Sequence, residues 1–92
     1  MRFLHVAFGF EKKPIPAEDV QRAIGKAGWA RYAPNCWIVV TDESVESLTE
    51  RLHTLCKNDD SLFVCELNIR NHSGWLQKEL WEWIKQARKQ IG

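Results

Sequence analysis

The sequence is short of every feature that usually announces a catalytic or metal centre. Its three cysteines form no C-x-x-C pair, and none of its three histidines falls at a zinc-ligand spacing. It contains no glycine-rich phosphate loop and no nucleophile elbow. Its apolar runs are too short to span a bilayer, so no membrane partner is expected. No apolar core followed by a small-residue cleavage site stands at the N-terminus. Free, packed thiols suit a reducing compartment, and a cytoplasmic location is expected. An excess of one charge is also missing. Lysine and arginine total 13 against 12 aspartates and glutamates, for a net charge of +1. That balance excludes binding to nucleic acid through overall charge and leaves only local patches. Arg22, Lys26 and Arg31 form one candidate nucleic-acid contact set. Lys85, Arg88 and Lys89 form another cluster, and solvated surface charge is the simpler account of each.

What is present is an ordinary globular composition, 45% hydrophobic over 92 residues. That length supports a single domain, residues 1–92, with one modest core. From Arg2 to Phe10, Leu4, Val6, Phe8 and Phe10 alternate with Phe3, His5, Ala7 and Gly9, the period of a strand. "EKKPIP" ends it, because proline has no N–H for a ladder. Pro16 suits the first turn of a helix, with Glu18 and Asp19 near its positive end and Gly28 as a candidate closing cap. Pro34 divides "WARYAPNCWIVVTD" into two strands, Trp29 to Tyr32 and Cys36 to Thr41. Asp42 or Ser44 can cap a second helix carrying Val45, Leu48, Leu52, Leu55 and Cys56. "SLFVCELNI" reads as a fourth strand. A last helix is expected from about Trp75, within a C-terminal segment of about 74–90. The order is βαββαβ plus a helix: an α+β, ferredoxin-like antiparallel sheet over about 1–70, with both main helices on one face.

Several strands are apolar on both faces. Cys36, Ile38 and Val40 oppose Trp37 and Val39, and Phe63, Cys65 and Leu67 oppose Leu62 and Val64. Two helices cover one face of such a sheet, and a bare second face exposes more apolar area than a soluble monomer normally shows. The last helix, a partner chain or both must cover it. Trp81 lies off the Leu80–Ile84 stripe and gives the last helix a second aromatic side. Expected interface residues are therefore His5, Trp37, Val39, Leu62, Val64 and Trp81, and a homodimer is the expected assembly.

This order, with "GW" before the second strand, "NCWIVVTD" in the third, "LTERLHTLCKNDDSLFVCEL" across the second helix and fourth strand, and "GW" opening the tail, resembles a superfamily of small nuclease-like proteins. Its members include the non-integrase subunit of CRISPR spacer acquisition, the virulence-associated toxin D proteins and the stand-alone SinR family. The likeness runs from about Arg2 to Trp83. It implies a ferredoxin-like subunit forming a symmetric dimer. In active members it also implies a phosphodiesterase, whose Mg²⁺ or Mn²⁺ is held by an aspartate following an aromatic residue at the end of the first strand. Here Phe8 is followed by Gly9, which offers no oxygen ligand.

Glu11 and Asp42 are the weak substitutes, although a solvated loop and a helix cap explain them as well. Asp59 and Asp60 read as a turn. The leading expectation is a non-catalytic, cofactor-free dimeric binding module, its partner a nucleic acid or a protein of a nucleoprotein complex. The alternatives are a metal-dependent endoribonuclease or toxin with relocated carboxylates, and a regulatory or inhibitory subunit docking on a larger complex.

Overall fold

The computed structural model describes residues 1–91. The chain runs β1 (Arg2–Gly9), α1 (Ala17–Ile24), β2 (Gly28–Ala33), β3 (Cys36–Thr41), α2 (Val45–His53), β4 (Ser61–Leu67) and α3 (Lys78–Ile91). The sheet order is β2-β3-β1-β4, and every neighbouring pair is antiparallel. This is the α+β, ferredoxin-like arrangement with a C-terminal helix added. No helix of the described chain is long and apolar enough to cross a membrane.

Alternation along the strands sorts side chains into two clusters. Leu4, Val6, Phe8, Trp37 and Val39 pack with Val20 and Ile24 of α1 and Leu48 and Leu52 of α2. Phe3, Ile38 and Val40 face the other way and pack with Ile84 and Ala87 of α3. Of the covers expected for the second face, the last helix supplies one, over part of the sheet.

Local chemistry sets the ends of the helices. Pro16 occupies the N-cap of α1 and accepts at its carbonyl from the Asp19 N–H at 3.0 Å. Gly25, not Gly28, closes α1. It adopts φ 79° and ψ −138°, where a Cβ would be strained, and donates to the Gln21 carbonyl at 3.1 Å. Gly28 instead opens β2. Ser44 caps α2, its hydroxyl accepting from the Ser47 N–H at 3.1 Å. Leu55 and Cys56 lie beyond the end of α2, although both still pack against the helix-side core. α3 begins at Lys78, three residues after the expected start, and Trp75 is left fully exposed.

Arg51 of α2 ties these pieces together. It grips Glu43 with two bonds, at 2.6 and 2.7 Å, and donates to the carbonyls of Ala23 and Ile24 at 2.7 and 3.2 Å. Those carbonyls end α1 and would otherwise lack helix partners. One guanidinium thus caps α1, anchors the β3–α2 turn and fixes the angle between the helices.

Candidate functional site

The functional question centres on three regions: the end of β1, the uncovered part of the second sheet face, and the clefts along α3. At the end of β1, Gly9 pairs in regular register with Ser61 and is exposed. A Cβ added there would meet Ser61 Cβ at 3.4 Å, an ordinary contact. Neither a bulge nor the packing of this chain therefore requires glycine at that position. Glu11 lies exposed in the following loop.

Asp42 does not approach Gly9. β1 and β3 are antiparallel with Arg2 opposite Thr41, so Asp42 stands at the other end of the sheet. The separation is roughly 23 Å, the rise of a strand as long as β1. There Asp42 faces the N-terminal ammonium at 3.4 Å. Ser44 performs the capping role that Asp42 was a candidate for. Asp60 closes a turn by accepting from the Lys57 N–H at 2.9 Å, as the sequence implied. Among the described residues no group of three or more histidine, cysteine, aspartate or glutamate side chains is placed to hold a metal ion. The residues present therefore do not fit the divalent-metal site of the resembled superfamily: Gly9 supplies no oxygen, Glu11 stands alone and Asp42 is a sheet length away.

The expected interface residues divide between the two faces. Trp37 and Val39 are 1% and 0% exposed and lie under α1 and α2. Leu62 and Val64 pack against the same core. These four therefore sit on the covered face, opposite to expectation. Trp81 is half-buried and packs with the α3-side cluster instead of projecting from a free face. His5 alone of the six lies on the partly open face. Arg31 lies over the Trp37 ring at 5.5 Å from its centroid, and its guanidinium donates to the Pro34 carbonyl at 2.7 and 3.1 Å. Arg22 pairs with Asp19 at 3.2 Å, and Lys26 lines a cleft that also holds Asp42 and Glu43. The first basic set is thus held by local partners or set beside acidic groups, and no basic surface forms from it.

Where α3 stops covering the sheet, His5, Ala7, Cys36 and Cys65 remain half-buried and Phe63 is 63% exposed. Tyr32 reaches across β3 to hydrogen-bond His5 Nε2. Burial pushes the His5 pKa down from 6.5. The Tyr32 pKa is pushed up to about 12, first by burial and then by the neighbouring Cys36 and Cys65. The two rings are therefore neutral at pH 7. Beside them, His5, Tyr32, Leu76 and Trp81 line a largely apolar cleft of about 310 Å³ under the β4–α3 loop.

A second cleft, about 360 Å³, opens on the outer side of the same loop. It is lined by Arg70, His72, Trp81, Lys85, Arg88 and Lys89, together with Ile69 and Ile84. The sequence pointed to the three cations of α3 but not to the partners that the loop "RNHSG" brings to them. Comparison with protein-family models, curated proteins and solved structures finds no match to this chain.

Proposed function

We propose that the chain is a non-catalytic binding module that assembles as a homodimer through β4. The observation that carries this reading is the contrast between the two sheet edges. β2 is blunted by a register shift between Arg31 and Ala33, by the charge of Arg31 and by Pro34 just beyond it. Such features block further strand pairing. β4 is seven residues long, carries Glu66 as its single charge, and presents the exposed Phe63 beside an uncovered part of the sheet. Antiparallel pairing of two β4 edges across a twofold axis continues the sheet and shields Phe63 on both copies.

The likeness to the nuclease-like superfamily supports the same reading, since that likeness implies a symmetric dimer. It also sets Gly9 where active members carry the metal-binding aspartate. The three free thiols suit a reducing, cytoplasmic setting. A relocated carboxylate pair within one chain gains no support, because Glu11 and Asp42 stand at opposite ends of the sheet.

Light scattering coupled to size exclusion tests the assembly. The expected result is twice the chain mass at micromolar concentration, falling to one chain mass in Phe63→Lys with unchanged circular dichroism. A monomeric parent chain overturns the proposal.

A further inference from the structure

We infer that the groove between the β4–α3 loop and the last turns of α3 binds single-stranded polynucleotide. The inference rests on the reading of the chain as a binding module and supplies its ligand, but it does not depend on the β4 dimer.

Charge is the first argument. The chain as a whole carries +1, yet Arg70, Lys85, Arg88 and Lys89 line one groove in which no acidic side chain takes part. All four are exposed, and none makes an ion pair with a described residue. Arg88 and Lys89 also complement the negative end of α3, as basic residues in a last helical turn do. Arg70 comes from a separate loop and is no part of that helix. Its convergence with Lys85 from another element builds a local anion site that the overall composition hides.

The second argument is the aromatic pair in the groove's lining. His72 and Trp81 stack with ring centroids 5.7 Å apart and planes 24° apart. The His72 ring is fixed from its other edge by a hydrogen bond from Nδ1 to the Ile69 carbonyl. Trp81 is fixed in turn by packing against the α3-side cluster. His72 is exposed, so a planar base can reach its ring and extend a stack that is already ordered. Little side-chain freedom remains to be lost on binding. Cations flanking a ring platform are how proteins hold single strands, with phosphates on the charges and bases on the rings. A duplex keeps its base faces covered and can use only the cations. The groove volume of about 360 Å³ lies in the range of pockets that hold small ligands, enough for one nucleotide unit to enter.

The test is fluorescence anisotropy with labelled oligo(U), oligo(dT) and a duplex of matched length across a salt series. Single strands of either sugar are expected to bind more tightly than the duplex. Four phosphate contacts, one per cation along a strand that runs on past the groove, give a log–log salt slope of about −2.8 at roughly 0.7 per contact. Replacing Lys85 and Arg88 together by alanine is expected to bring the slope to about −1.4. His72→Ala is expected to weaken binding roughly tenfold with the slope unchanged, as loss of stacking does. All three substitutions are at exposed positions, and circular dichroism checks that each variant is folded. Absence of binding at low salt, equal affinity for the duplex, or an unchanged slope in the double variant overturns the inference. Light scattering on the same samples reads the dimer separately, so failure of one proposal is distinguishable from failure of the other.

Discussion

The Tyr32 hydroxyl and His5 Nε2 share a hydrogen bond across the width of β3, joining the edge strand β2 to the central strand β1 on the face that α3 only partly covers. The ring centroids are 5.6 Å apart. Burial shifts both groups toward their neutral forms, His5 downward and Tyr32 upward, so the bond joins two uncharged rings.

Tyr32 is the single tyrosine of the chain, so its phenolate absorbance is read without interference from another tyrosine. The expected titration midpoint is about 12 in the folded protein, returning toward 10 in denaturant. Because the folded pKa of this acid lies above its unfolded value, stability is full below pH 10 and declines as the pH rises from 10 toward 12. Replacing Cys36 and Cys65 by serine is expected to lower the folded midpoint, since both contribute to holding it up. A midpoint near 10 in the folded protein would place Tyr32 in free solvent.

On the acid side two groups act in different windows. The His5 pKa is depressed, so folded and unfolded states are both neutral above 6.5 and stability falls as the pH drops below that value. The Glu43 carboxyl is held below its ordinary 4.5, chiefly by its hydrogen bonds from Arg51. Its contribution is present above 4.5 and is lost as the pH falls through the folded value. Thermal melts from pH 7.5 to pH 3 are expected to show two descending steps. His5→Gln, whose amide can either accept from or donate to Tyr32, is expected to flatten the upper step alone.

Arg51→Met retains the alkyl stem but removes the guanidinium that holds Glu43 and the carbonyls of Ala23 and Ile24. The ion pair is partly exposed, with side chains 41% and 31% accessible, and solvent screening reduces its worth. The end of α1 also loses two hydrogen-bond donors. A destabilisation of about 1–2 kcal/mol is expected in denaturant unfolding, together with loss of the lower acid step.

The strands and the need for a cover on the second face are legible in the sequence, because alternation with period two is a property of the chain alone. β3 falls at Cys36–Thr41, where Pro34 and the apolar run place it. Which set of alternating residues meets the helices is not legible. Trp37 and Val39 are as apolar as Cys36, Ile38 and Val40, so no difference in polarity marks the buried side. The helix-side core settles it through α1 and α2, whose docking is a property of the whole fold. The cap at Gly25 was missed for a local reason: α1 ends a turn before its apolar spacing does, and Ala27 still packs against the core from outside the helix. The basic groove was half visible. The spacing of Lys85, Arg88 and Lys89 is a sequence fact, but the arrival of Arg70 and His72 depends on how the β4–α3 loop folds back over α3.

Gly9→Asp separates two reasons for the glycine at the end of β1. If the chain's own packing demanded glycine, any side chain there would disrupt the β1–β4 ladder. The φ of Gly9 lies outside the left-handed region, since Gly25 alone among the described residues has a positive value. The nearest atoms to an added Cβ are Ser61 Cβ at 3.4 Å and Ser61 Oγ at 3.8 Å. A carboxylate can therefore point into solvent from this exposed strand end. Gly9→Asp is expected to fold with a stability change within about 0.5 kcal/mol, the range of surface substitutions, because relief of glycine's backbone entropy offsets the poor strand propensity of aspartate. Denaturant unfolding of the variant measures this directly. A loss of more than about 2 kcal/mol would show that something in the native protein approaches Gly9 more closely than Ser61 does. In that case the same variant examined by light scattering would identify the contact as a second copy if its mass falls to that of one chain.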